Sequence, residues 1–68
     1  MFRLLRIPSQ RVPVLLGKKG HVKKRIETRT MTRILVSKEG DVEVEGQPEG
    51  LLTAENVIKA IGRGFGNV

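Results

Sequence analysis

The chain of 68 residues has no cysteine and a single histidine, His21, so it can form neither a disulfide nor a Cys/His zinc site. Trp and Tyr are absent as well, and two Phe are the only aromatic residues. Any hydrophobic core must therefore be made mainly of Leu, Ile and Val. Because a chain this short buries only about 60% of its unfolded surface, we expect one small domain with an economical core.

Long apolar segments and catalytic groups are also missing. Residues 12–16 form the longest apolar run, which is far too short to span a bilayer, and the first ten residues lack the apolar stretch of a signal peptide. We therefore expect a soluble, cytoplasmic protein without membrane contact. There is no Cys nucleophile, and His21 has no evident serine partner. We predict that the protein is not an enzyme and needs no cofactor or metal.

Acidic residues are nearly absent from the first half of the chain. Residues 1–33 hold ten Lys/Arg and one acid, Glu27, a net charge of +9, whereas residues 34–68 hold three bases and six acids, a net charge of −3. A domain polarised in this way has a basic side that suits a polyanion. The alternative is that solvated lysines only keep a small protein in solution.

The first half of the chain predicts one strand and two helices. We expect a strand over residues 2–7, a short helix over 9–16 and a second helix over 21–29. Ser9 offers an N-cap for the short helix, and Gly17 ends it. In the second helix, Val22 and Ile26 are spaced to face the core, and the basic residues between them face mostly outward.

The second half predicts two strands and a third helix. We expect strands over residues 32–37 and 41–45, a loop over 46–50 and a helix from about Leu51. Gly40 supplies the positive φ of a tight hairpin turn, and Val42 and Val44 alternate with acidic residues along their strand. The apolar residues of the helix recur at three- and four-residue intervals: Ala54, Val57, Ile58, Ile61 and Phe65. The glycines at 62, 64 and 66 would fray its end. The predicted fold is α+β, in the order β-α-α-β-β-α, with a three-stranded antiparallel sheet and three helices on one face.

The sequence "GKKG" at 17–20 joins the two predicted helices. A nucleotide-binding P-loop, G-x-x-x-x-G-K-[ST], would need glycine in place of Val12 and Ser or Thr in place of Lys19, and it would follow a strand. A G-x-x-G turn between helices has another use, because glycines without Cβ atoms let a nucleic-acid backbone approach the main chain. The next helix then presents free N–H groups to phosphate oxygens.

Together these features resemble a known family. The segment "LLGKKGHVKKRIE" resembles the core of a KH domain, and the element order resembles the type I arrangement. "GDVEVEG" and "AENVIKAIGRGF" resemble the Krr/Pno class of KH proteins, which are small-subunit ribosome assembly factors of archaea and eukaryotes. The resemblance implies one KH domain over residues 1–68, equivalent to the first of two KH modules in archaeal relatives. Thr30–Met31 stands where members have Thr-Gly, which leaves open how the second helix ends.

The resemblance also implies where RNA would bind. The residues expected to hold the RNA backbone are Gly17, Lys18, Lys19, Gly20 and Lys23. The residues expected to form an apolar groove for bases, with strand backbone near Leu35 supplying hydrogen bonds, are Val14, Leu15, Val22, Ile26, Ile34, Leu35 and Val36. About half of the groove side chains should instead be ordinary core. Further candidates for contact with RNA or a partner are Arg11, Lys24, Arg33 and Arg63, of which Arg63 is equally well explained as a solvated side chain.

The function implied by the resemblance is binding of single-stranded RNA, and in particular small-subunit rRNA during ribosome biogenesis. The alternative is a protein-interaction KH module that docks a ribosome-assembly or translation factor, with RNA contact secondary. An open, basic G-x-x-G turn favours RNA, since a docking domain does not need it. The sequence specifies no oligomeric state.

Overall fold

A computed structural model describes residues 1–64. The elements are β1 (Phe2–Arg6), a 3-10 turn (Ser9–Arg11), α1 (Val12–Leu16), α2 (His21–Thr30), β2 (Arg33–Val36), β3 (Asp41–Glu45) and α3 (Pro48–Gly62). The predicted α+β order is therefore confirmed. Phe65 and Gly66, expected in or after the last helix, lie outside the described residues.

The three strands form one antiparallel sheet in the order β1-β3-β2, with β3 in the centre. Along β3 the two valines are buried and the three acids exposed, as their alternation predicts. The helices pack on the face that carries the valines, and Gly40 closes the β2–β3 hairpin with φ of 103°. The core between sheet and helices contains Ile7, Val12, Leu15, Ile26, Ile34, Val42, Val44, Leu51, Ala54 and Ile58.

Two helix starts differ from the prediction. Ser9 is not an N-cap: Pro8 is extended at φ −57°, ψ 141°, and Ser9 already begins a 3-10 turn that has no side-chain cap. The third helix begins at Pro48 rather than near Leu51, because the fixed φ of proline suits the first turn of a helix. The expected loop over residues 46–50 is correspondingly shorter.

The second helix ends at a methionine whose backbone has a conformation that methionine rarely adopts. Met31 adopts a left-handed conformation, φ 54° and ψ 47°, and its N–H donates to the Glu27 carbonyl. The N–H of Thr32 donates to the same carbonyl at 3.1 Å. Met31 therefore takes the place that glycine usually fills at a helix C-terminus. Within residues 1–64, no helix has both the length and the apolar character needed to cross a membrane.

Candidate nucleic-acid interface

The GKKG segment forms a turn with two consecutive left-handed residues. Gly17 ends α1 at φ 72°, and its N–H donates to the Pro13 carbonyl at 2.9 Å. Lys19 (φ 55°, ψ 27°) and Gly20 (φ 76°, ψ 13°) then have the angles of a type I′ turn, closed by the His21 N–H on the Lys18 carbonyl. For lysine this conformation costs about 1–2 kcal/mol. Nothing in the sequence indicates that a lysine adopts this strained conformation, and such strain is often found at functional sites.

The two glycines of the turn have different reasons for being glycine. A Cβ on Gly17 would overlap the side chain and backbone nitrogen of Val22, so Gly17 allows α1 and α2 to meet. Among residues 1–64, a Cβ on Gly20 would have no heavy atom within 4 Å, so the space beside Gly20 is open. Position 20 therefore needs glycine because its φ is positive and because the open space lets a ligand approach the backbone. Close packing within the protein is not the reason.

The N-terminus of α2 follows this turn, and no acidic side chain in the part of the chain that the structure describes pairs with it. It has no side-chain cap and no acid in its first turn. The first N–H groups of a helix lack intrahelical acceptors and carry a partial positive charge. Lys18, Lys19, His21 and Lys24 are exposed around it. These features together favour an anion at the turn.

Lys23 is positioned differently from its basic neighbours. Its ammonium donates to the Ile34 carbonyl at 3.1 Å and lies 3.6 Å from a carboxylate oxygen of Glu27. The other Glu27 oxygen accepts the Ile34 N–H at 2.7 Å. Lys23 and Glu27 therefore bind both backbone groups of Ile34. These bonds hold α2 against the edge of β2 that does not pair with β3. The i,i+4 spacing was visible in the sequence, but the strand that the pair contacts was not. The Lys23 ammonium is thus occupied within the protein, which argues against its expected role as a phosphate ligand.

Apart from Leu35, the apolar residues predicted for the groove separate into a buried group and an accessible group. Leu15, Ile26 and Ile34 are buried core, as expected for about half of the set. Val22 was predicted to face the core but is 36% exposed, because it lies at the first turn of α2 beside Gly17. The accessible members are Val14 on α1, Val22 on α2 and Val36 on β2, one from each element expected to line a groove.

The side chain of Leu35 lies on the other face of the sheet, so the expectation that this residue belongs to the groove needs correction. Side chains alternate along a strand, and Leu35 is exposed between the buried Ile34 and the half-buried Val36. Backbone groups alternate too. The N–H and C=O of Ile34 point to α2, on the side of β2 that does not pair with β3. Those of Leu35 therefore point to β3, and those of Val36 point to the same unpaired edge as those of Ile34. Within residues 1–64, Val36 rather than Leu35 therefore turns its backbone groups to the unpaired edge, next to the expected groove.

The additional basic candidates also lie in different places. The Arg11 Nε donates to the Ile61 carbonyl at 2.8 Å, so this side chain caps the C-terminus of α3. Arg33 is opposite Glu45 on the face of the sheet away from the helices. Lys24 is exposed on α2 near the turn, and Arg63 is exposed just after α3. Of the four, only Lys24 lies on the helix that begins at the turn.

Comparison with known proteins shows the family of this fold. A family model described as KH domain matches residues 2–60. The chain belongs to the KH domain family. It is 40% identical to a KH domain-containing protein of Methanocaldococcus jannaschii over 67 residues, which covers 91% of this chain and 30% of that protein. KH domains are RNA-binding modules rather than enzymes.

Two solved structures from Pyrococcus horikoshii OT3 are similar to this KH domain. One is of Dim2p, with a TM-score of 0.92 and 38% identity, covering 96% of this chain and 43% of that one. The other is a complex of a/eIF2alpha, aDim2p and rRNA, with a TM-score of 0.88 and 39% identity, covering 96% and 40%. The predicted type I KH fold is confirmed. This chain spans less than half the length of each of these relatives, and the narrower resemblance to the Krr/Pno class stays a prediction.

Proposed function

We propose that this KH domain binds single-stranded RNA, with the phosphate backbone along the GKKG turn and the first turn of α2. The observation that carries the proposal is the geometry of the turn: open space beside Gly20, an uncapped helix N-terminus, and exposed lysines at 18 and 19. Backbone N–H groups and lysines bind phosphate oxygens without regard to base. Lys24 adds positive charge one turn further along α2.

The bases would lie against Val14, Val22 and Val36. Aliphatic side chains accept a base by van der Waals contact, which suits a chain without Trp or Tyr. The outward backbone groups of Val36 would form hydrogen bonds with a base edge. Ile34 cannot do so while Glu27 and Lys23 occupy its N–H and carbonyl.

Small-subunit rRNA during ribosome biogenesis is the RNA we propose. The support is the similarity to aDim2p, whose solved complex contains rRNA, together with the "IGRGF" segment that resembles ribosome assembly factors. Residues 1–68 would act as a single KH module, in the cytoplasm. The second candidate is docking of a ribosome-assembly or translation factor, which is favoured by the presence of a/eIF2alpha in the same complex.

The test is fluorescence anisotropy with short single-stranded oligonucleotides from small-subunit rRNA. Changing Lys18 and Lys19 to Asp should weaken binding at least about tenfold, since three or four phosphates supply most of the binding energy. Changing Arg33 and Lys38 to Glu alters the charge equally at exposed sites away from the turn, and should have a much smaller effect. Equal losses in the two double variants would mean that only net charge matters. Unchanged binding in the turn variant would exclude this site.

A further inference from the structure

The face of the sheet away from the helices, here called the outer face, exposes large apolar side chains. Three are involved: Leu4 is 72% exposed, Leu35 is 58% exposed and Phe2 is 56% exposed. The strand register places them in rows across the sheet, Leu4–Glu43–Leu35 and Phe2–Glu45–Arg33. Exposed apolar groups clustered in this way commonly mark an interaction surface.

Glu43 is the acid at the centre of this face. Asp41 is paired with Arg6 at 2.7 Å, and Glu45 has Arg33 as its cross-strand neighbour. Both cross-strand neighbours of Glu43 are leucines, and within residues 1–64 no hydrogen bond or ion pair is formed by its carboxylate. A concavity of about 390 Å³ lies beside it, lined in part by Leu4, Leu35 and Glu43. The outer face therefore holds an unneutralised carboxylate between two exposed leucines.

Charge determines what can cover this face. RNA phosphates and anionic lipid headgroups would be repelled by the acids of β3. A second copy packed face to face, with the twofold axis at the central strand, would set Glu43 against the same carboxylate of its partner. A protein surface that is apolar and carries a positive charge complements the face. Arginine suits it best, because its planar guanidinium can pair with a carboxylate while packing on aliphatic groups.

We propose that the outer face docks a partner protein through a basic amphipathic helix, which presents arginine or lysine to Glu43 and leucine-like side chains to Leu4 and Leu35. Glu43 and Glu45 are two residues apart on a strand, a separation of about 6.5–7 Å. Residues four apart on a helix are separated by about 6 Å along its axis. Two basic residues at i and i+4 can therefore reach both carboxylates when the helix lies along β3. This surface is opposite to the GKKG turn, so the proposal does not depend on RNA binding.

The probe is a synthetic Ala-rich peptide of about 20 residues, long enough to be helical, with arginines at i and i+4 flanked by leucines. Titrated into the ¹⁵N-labelled chain, it should shift the amides of Leu4, Leu35 and Glu43. Glu43→Arg should weaken binding at least about tenfold, and a peptide in which glutamate replaces only the arginine that faces position 43 should restore binding to that variant. Glu39→Arg changes the charge equally at the exposed hairpin turn and should leave the affinity within about twofold.

Three results would overturn the proposal. They are peptide-induced shifts at the GKKG turn instead of the outer face, equal effects of Glu43→Arg and Glu39→Arg, and failure of the charge-swapped peptide to restore binding. Sedimentation equilibrium of the chain alone provides a fourth. If the chain forms a dimer and Glu43→Arg alters its dissociation constant, the outer face binds a second copy rather than a partner protein.

Discussion

The left-handed Met31 permits a quantitative prediction about stability. Its side chain is 85% exposed, so replacing it removes little packing, while its backbone is held at φ 54° by the end of α2. Glycine adopts this conformation without the steric conflict that a Cβ creates. Met31→Gly should therefore stabilise the domain, although substitutions to glycine inside helices and strands usually destabilise a protein.

The expected gain is a difference of two terms. Relief of the left-handed conformation is worth about 1–2 kcal/mol. Against this, glycine gives the unfolded chain additional freedom, which costs about 0.4–1 kcal/mol. The mid-range values of these terms, about 1.5 and about 0.7 kcal/mol, leave a net stabilisation of about 0.8 kcal/mol. For a domain of this size, 1 kcal/mol corresponds to a rise in Tm of about 4–8 °C.

Thermal and urea unfolding followed by circular dichroism would measure this gain. Met31→Ala is the matched control, because it removes the same side chain but keeps the Cβ, and it should not raise the Tm. RNA affinity should be unchanged in both variants, since Met31 is at the opposite end of α2 from the GKKG turn. If Met31→Gly is no more stable than the parent, or if Met31→Ala stabilises equally, the strain at this residue is not what limits stability.

Three further predictions concern the turn, the strand edge and the third helix. Gly20→Asn should keep the fold, because asparagine tolerates a left-handed backbone, yet it should weaken RNA binding about tenfold by filling the open space; a full-affinity, folded variant would contradict this. Glu27→Ala should speed amide exchange at Ile34 and cost about 1–3 kcal/mol in free energy of unfolding, whereas Glu27→Gln, which keeps an acceptor, should cost less. The hydrogen bond from Lys59 lowers the pKa of Glu55. The ionised Glu55 therefore stabilises the folded domain at a pH above its ordinary pKa of 4.5, and this stabilisation is lost as the pH falls below 4.5 and through the lowered pKa. As the pH is lowered, the free energy of unfolding of Glu55→Gln should fall less steeply than that of the parent. Identical curves would show that Glu55 makes no such contribution.

Periodicity and turn chemistry predicted most of the fold. The alternation around Val42 and Val44 placed β3 with the correct face inward, and Gly40 marked the hairpin. The strand 32–37 was harder, because a nearly continuous apolar run does not show which side chains face the helices. Backbone hydrogen bonds to bases were expected near Leu35, but which residues of this strand turn their backbone groups away from β3 depends on the strand register, which the sequence does not show.

The site could be predicted only as far as local sequence determines it. The turn at 17–20 follows from two glycines and two lysines, and it was placed correctly between two helices. The role of Lys23 depends on a strand eleven residues away, and that of Arg11 on a helix end fifty residues away. Such contacts form only through tertiary packing. The left-handed Lys19 was equally hidden, since L-residues other than Asn and Asp rarely adopt that conformation.

The most direct test of the central proposal is the salt dependence of RNA binding, compared between single-stranded and duplex RNA of the same sequence. Three or four phosphates at the GKKG turn, each contributing a slope of about −0.7, predict that log K for the single strand falls by about 2–3 units per decade of salt. Duplex RNA should bind much more weakly, because its paired bases cannot reach Val14, Val22 and Val36. Equal affinity for the duplex, or a slope near zero, would contradict single-strand recognition by this turn.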